Sequence, residues 1–243
     1  MEFLPNGYTL ELSDGAFPLS TDSMVLSHFV RLTKNARVLD LGAGCGTLGL
    51  LLCSRNSTCH ITGLERSAHD HAAALENIRR NALDSRMESL CADLRSVSDI
   101  FSPGQFSCCV SNPPYFSGGP ASRSHPTARR EDHCTPEDLF RAAAWALKYG
   151  GDFFLVHKPD RLAELIVKAA AHRLEAKKLC LLRHRENGPV MLILLHFRKG
   201  AHPGLLLEEE ALFHSGGEPT SYYKEVYHLQ DQISPSTLNS QPI

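Results

Sequence analysis

Asn112-Pro113-Pro114-Tyr115 follows the apolar run Phe106 to Val110 and opens a stretch rich in Gly, Pro and Ser. An amide, two prolines and an aromatic ring at a strand's exit suit the capture of a planar, amine-bearing group. Proline fixes φ and biases the residue before it to extended geometry, so Asn112 and the Pro113 carbonyl are held stiffly. The Asn112 side-chain oxygen and the Pro113 backbone oxygen can then accept both hydrogens of one exocyclic NH2, while Tyr115 offers a face for a flat ring. The same four residues could also do no more than turn the chain.

Three further polar positions stand at the ends of apolar runs. The first is Asp40-Leu41-Gly42-Ala43-Gly44-Cys45-Gly46. Glycines let a backbone approach a ligand closely and expose N–H groups at the next helix N-terminus. A dinucleotide loop would space its glycines G-x-G-x-x-G; here the third follows after a single residue, with an acid before the first. Asp40 would repel a phosphate and bind an ammonium, which fits S-adenosylmethionine, whose amino-acid end brings a cation and a carboxylate. Glu65, about twenty residues on, stands where a carboxylate accepts both ribose hydroxyls in nucleotide-binding α/β folds. Asp93 could accept from an adenine amino group. As single residues, Glu65 and Asp93 could equally be surface acids.

The elements that must position these residues alternate. Apolar runs at 36–41, 60–64, 87–91, 106–111 and 152–157 read as strands. Helical periods at 48–53, 68–82, 137–147 and 161–171 separate them, with Gly150-Gly151 ahead of the fifth run. A helix capped by Thr21 or Asp22 carries Val25, Leu26, Phe29, Val30 and Leu32 toward the core. Runs at 178–182 and 190–197 pair around Asn187-Gly188 as an antiparallel hairpin. This order predicts an α/β fold, Rossmann-like, with a mostly parallel sheet covered by helices on both faces. We expect one domain over residues 1–229: an N-terminal hairpin or lid to residue 20, a core over 21–200 and a C-terminal extension over 201–229. The polar tail 230–243 reads as disordered.

A chain of 243 residues, 42% hydrophobic, can bury one sizeable core. No stretch approaches a membrane span and no leader pattern opens the chain, so a cytoplasmic protein is expected. The eight cysteines lack C-x-x-C spacing and His69-x-His71 do not share a helix face, so no metal site is expected. Residues 115–200 are net +6, between segments of −3 and −5. That basic middle suggests a polyanionic partner, although such runs also decorate solvated faces.

Taken together, the glycine loop, Glu65, Asp93 and Asn112 to Tyr115 resemble the class I methyltransferases that act on amino nitrogens. That resemblance implies a seven-stranded sheet, S-adenosylmethionine as donor and a planar amine or amide nitrogen as acceptor. Pro18 to Leu26, Ala128-Arg129-Arg130-Glu131 with Cys134, Gly151 to Leu162, and His202 to Tyr227 are similar to the tRNA1(Val) (adenine-37-N6)-methyltransferases. The family's pattern implies that Asp22 joins Asp40, Gly42, Gly44, Gly46, Glu65, Asp93 and Asn112 at the cofactor, and that Asn112 to Tyr115 are catalytic. It also implies a tRNA partner, which Tyr115, Arg123, Arg129 and Arg130 would meet, with Lys177, Lys178, Arg183 and Arg185 flanking the last hairpin. Three other readings are protein-glutamine N5-methylation of the release-factor type, methylation of another RNA, and a non-catalytic cofactor- or RNA-binding protein.

Overall fold

The apolar runs become the strands of one eight-stranded sheet. In chain order the elements are β1 (Glu2–Phe3), β2 (Thr9–Leu10), α1 (Thr21–Phe29), β3 (Arg37–Leu41), α2 (Thr47–Arg55), β4 (His60–Glu65), α3 (Ala68–Arg80) and β5 (Met87–Cys91). They continue with α4 (Val97–Ile100), β6 (Phe106–Ser111), α5 (Pro136–Ala146), β7 (Leu147–His157), α6 (Leu162–Ala171), β8 (Leu174–Arg185), β9 (Val190–Lys199), β10 (Leu206–Phe213) and α7 (Ser221–Val226). The computed structural model describes residues 2–4, 7–12, 19–113 and 134–227. Pro114, Tyr115, Arg123, Arg129, Arg130 and the tail 230–243 lie outside the described residues.

The sheet order is β10-β8-β9-β7-β6-β3-β4-β5, with β1 and β2 forming a separate antiparallel ribbon. From β5 to β7 every pairing is parallel; β9 runs antiparallel between β7 and β8. The expected seven strands are therefore joined by an eighth, β10, which pairs parallel to β8 and forms the sheet edge. Its sequence, Leu206-Leu207-Glu208-Glu209-Glu210, does not alternate, and Leu206 and Leu207 are exposed, so no period-two signal marks it.

Strand residues of alternate parity feed two cores. Val38, Val110, Phe154 and Leu194 pack beneath α1, α2 and α7. Leu39, Cys109, Leu155 and Ile193 pack beneath α5 and α6. On that second face Phe140, Phe153 and Phe197 are fully buried, with Phe140 edge-on to the other two at 5.8 and 5.5 Å. Central strands buried on both faces read as continuous apolar runs, which is why they were legible.

Two local boundaries differ from the sequence expectation. Ser20, rather than Thr21 or Asp22, caps α1: its side chain accepts from the Ser23 N–H, and Val30 already has extended backbone. Gly150-Gly151 does not precede β7 but lies inside it, where the register with β6 shifts. Gly150 has φ +74°, and a Cβ on Gly151 would lie 2.9 Å from the Lys148 carbonyl oxygen, so the pair builds an irregularity that only glycine fits.

The N-terminal segment is held by two asparagines one turn apart on and just beyond α3. Asn77 accepts from the Glu11 N–H (2.8 Å) and donates to the Glu11 carbonyl (2.8 Å). Asn81 treats Thr9 the same way (2.9 and 2.8 Å). The side-chain amides of i and i+4 thus pair with the backbone of two residues, i and i+2, of an extended strand. Asn77 is fully buried and also donates to the Cys45 carbonyl at 2.9 Å, so one side chain fastens the N-terminal segment to the glycine loop. Asn77→Ala removes three hydrogen bonds and strands a buried carbonyl. It should cost about 2–4 kcal/mol in urea denaturation; a loss below about 0.5 kcal/mol would show that the clamp is not made in solution.

Candidate active site

The chain runs outward from β3 through β4 to β5, then returns to place β6 on the other side of β3. This reversal creates the crevice at which open parallel sheets bind ligands, beyond the carboxyl ends of the strands. Asp40 near the end of β3 and Asn112 just beyond β6 lie on its two sides. Asp40 pairs in register with Val110, so Asn112 sits two residues further along the neighbouring strand, about 8 Å away by strand geometry. Buried Ser111 fastens the two ends together by donating to the Leu41 carbonyl at 2.7 Å.

Asp40 is buried, and its Oδ2 has no hydrogen-bond partner. Burial, with the charge of Glu65 adding to it, pushes its carboxyl up to about 7. A carboxylate in that position is destabilised until a cation arrives. The glycine loop beside it turns through Gly42, Gly44 and Gly46 with φ of +78°, +54° and +86°. At Gly42 and Gly44 the direction a Cβ would take is open space, whereas a Cβ on Gly46 would meet Met87 at 3.0 Å. The first two glycines leave a cradle and the third permits packing.

Glu65 is locked by its own loop. Its Oε2 accepts from the Gly44 N–H at 2.9 Å and its Oε1 from the Ser67 N–H at 2.7 Å. Each carboxylate oxygen retains a further acceptor site, so the pair could receive two hydroxyls. Asp93 is engaged differently. Both of its oxygens accept from the Arg95 guanidinium, with Oδ2 to Nη2 at 2.6 Å, and Oδ1 also accepts from the Arg95 N–H. The hydrogen bonds from Arg95 hold its carboxyl below the ordinary value. An adenine amino group would therefore share this carboxylate with Arg95, a partner not evident from sequence.

Asn112 is half-buried, and its amide is oriented: Nδ2 donates to Ser23 Oγ at 3.0 Å. That leaves Oδ1 as the side chain's acceptor. Pro113, which follows, is buried. Asp22 sits in the first turn of α1, next to Ser23 and on the Asn112 side of the crevice. An orphaned buried carboxylate oxygen, an open glycine cradle, a locked acid and an oriented amide form a donor and acceptor set that fits S-adenosylmethionine.

Among the described residues, the basic side chains flanking the last hairpin do not gather at one place. β8 runs parallel to β7, so Arg183 and Arg185 lie at the catalytic end, while Lys177 and Lys178 lie in the other half of the strand. Lys178 pairs with Glu208 at 2.7 Å and Lys177 donates to the His202 carbonyl. Arg183 donates to the Gly188 carbonyl at 2.6 Å, and Arg198 pairs with Asp152. Lys178 and Arg183 thus have carboxylates of β10, Glu208 and Glu209, beside them. No group of His, Cys, Asp and Glu among the described residues could hold a metal ion, and no described helix is long and apolar enough to cross a membrane.

The fold and the crevice define a class I methyltransferase. A predicted O-methyltransferase from Agrobacterium tumefaciens superimposes with a TM-score of 0.73 over 86% of this chain and 96% of that one, at 23% identity. The chain belongs to the methyltransferase small domain family, whose model matches residues 19–178. It is an S-adenosylmethionine-dependent methyltransferase. Among curated proteins it is 30% identical over 185 residues to the tRNA1(Val) (adenine(37)-N6)-methyltransferase of Bacteroides fragilis strain YCH46, covering 75% of this chain and 77% of that one. The Photobacterium profundum protein of the same name is 24% identical over 229 residues, 90% of this chain and 95% of that one.

The raised carboxyl of Asp40 has a defined effect on stability. Folding favours its protonated form, so its contribution is full below the unfolded value near 4 and is lost as pH rises toward about 7. Relative to the parent, cofactor-free Asp40→Asn should therefore gain about 2–3 kcal/mol between pH 5 and pH 8. Denaturation curves at the two pH values measure this, and a pH-independent difference between the proteins would contradict it. S-adenosylmethionine should bind Asp40→Asn more weakly.

Proposed function

We propose that this chain transfers a methyl group from S-adenosylmethionine to the exocyclic N6 of an adenine in tRNA, at position 37 of the anticodon loop, in the cytoplasm. The observation that carries the reading is the oriented Asn112 amide, followed by a buried Pro113, across the sheet's crevice from the orphaned Asp40 carboxylate. The names of the relatives at 30% and 24% identity supply the substrate class.

In this reading Asp40 and the loop of Gly42, Gly44 and Gly46 receive the amino-acid end of the donor, beside Asp22. Glu65 accepts the ribose hydroxyls, and Asp93 meets the adenine. Bound there, S-adenosylmethionine supplies an electrophilic methyl group on a sulfonium. Asn112 Oδ1 and the Pro113 carbonyl accept the two N–H bonds of the target amine. An exocyclic purine nitrogen is a poor nucleophile because its lone pair is conjugated into the ring. Accepting both hydrogens draws it toward tetrahedral geometry and frees that pair. Its attack on the methyl carbon would break the bond to sulfur, the neutral thioether would leave, and the extra N6 proton would pass to water; positioning can contribute about 7–11 kcal/mol to such a displacement. Pro114 stiffens the motif, and Tyr115 stacks on the base once it is splayed from the loop.

A tRNA loop suits this site because RNA is read through unstacked bases and phosphate contacts. Arg123, Arg129 and Arg130, beside the motif in sequence, are assigned the phosphate contacts. Arg129→Ala should weaken tRNA binding and leave cofactor affinity unchanged; equal tRNA affinity in mutant and parent would remove that role.

The direct test is transfer of labelled methyl groups to unmodified total tRNA, followed by nucleoside analysis, with Asn112→Ala alongside. N6-methyladenosine is expected with the parent, falling at least a hundredfold in the mutant. Cofactor binding without transfer to tRNA would exclude this substrate, and methylation of a release-factor glutamine would replace it.

A further inference from the structure

The Asn112 amide can act as an acceptor for an incoming amine only if it is turned the right way. An asparagine presents an oxygen on one side and an NH2 on the other, and the two differ little in shape. With the NH2 facing the substrate amine, donor would meet donor and the amine would be repelled. Proline at the next position restrains the backbone but does not choose between the two orientations of the side chain. Some other group must make that choice.

We propose that Ser23 is a positioning residue that sets the orientation of the Asn112 amide, so that Oδ1 faces the acceptor nitrogen. This rests on the function proposed above. Ser23 lies 89 residues away in sequence, in the first turn of α1, and is buried. Its Oγ accepts from Asn112 Nδ2 at 3.0 Å and from Ser20 Oγ at 3.4 Å. The hydroxyl thus meets the amide as an acceptor, which turns the NH2 toward Ser23 and Oδ1 away from it.

Ser20 is itself fixed as the cap of α1, accepting from the Ser23 N–H at 3.3 Å. The helix start, the two serines and the amide form one chain of hydrogen bonds. That helix is anchored from the outer side as well: Tyr227 donates to Thr21 Oγ1 at 3.4 Å, and Arg55 donates to Ser27 Oγ and to the Val226 carbonyl. Ser23 is therefore presented from a braced element, and its position does not depend on Asn112.

The test compares Ser23→Ala and Ser23→Thr in the full chain. Loss of the hydroxyl should lower kcat for methyl transfer about ten- to a hundredfold, leaving the Kd for S-adenosylmethionine within twofold. Threonine keeps the hydroxyl and should restore most of the rate. A readout free of catalysis is the exchange with water of the Asn112 side-chain amide protons, identified in nitrogen-15 spectra by their loss in Asn112→Asp. These protons should exchange several times faster in Ser23→Ala than in the parent. Unchanged kcat and exchange in Ser23→Ala would overturn the role, as would equal loss in both variants, which would indicate packing alone. A parent that transfers nothing to tRNA but keeps the exchange difference would overturn the function above and leave the hydrogen bond standing.

Discussion

The pairing of β3 with β6 is the constraint on which the site depends. These strands are neighbours in the sheet but are separated in sequence by β4 and β5, which lie entirely to one side. Only this return stroke brings a buried acid and an oriented amide to opposite sides of one crevice. The Ser111 hydroxyl, bonded to the last carbonyl of β3, keeps the two strand ends level. A shift of either strand by one residue would invert the face on which its polar end residue emerges.

The two sides of the crevice do different electrical work. On the β3 side, Asp40 sits in a place where its charge is opposed by burial and by Glu65, so a cation brought beside it would relieve that opposition. On the β6 side Asn112 and Pro113 are neutral and act through direction alone. Separating charge recognition from lone-pair control lets each be arranged without compromising the other. Glu65 belongs to both the loop and the crevice, because the Gly44 and Ser67 N–H groups fix its two oxygens before any ligand arrives.

Much of this was legible in the amino-acid order, for a definite reason. The central strands β3, β4 and β6 are largely buried on both faces, so Asp40, Glu65 and Asn112 stand out as carboxylate or amide groups near or just beyond the ends of apolar runs, and Asp93 stands just beyond the edge strand β5. What stayed hidden required the third dimension. Ser23 reads as an ordinary helical serine until the fold places it against an amide 89 positions away. Arg95 reads as a surface cation until it is found on Asp93. β10 has no alternation to reveal it, and the double glycine that read as a break is a bulge within β7. Counting charge over residues 115–200 likewise did not show that Lys178 and Arg183 have carboxylates of β10 beside them.

The asparagine pair on and just beyond α3 carries a consequence for how the N-terminal segment can vary. Asn77 and Asn81 grip the N–H and carbonyl groups of Thr9 and Glu11, and these groups are common to nearly every amino acid. The asparagine contacts are therefore indifferent to side-chain identity at those two positions and exclude only proline, which has no N–H to give, while the Glu11 side chain adds an ion pair with Arg80 of α3. Natural drift can rewrite residue 9 almost freely, and residue 11 at the loss of one ion pair, while the geometry survives. In descendants of this chain the constant feature of that region would be the helix that does the gripping, and the strand it grips would look unrelated.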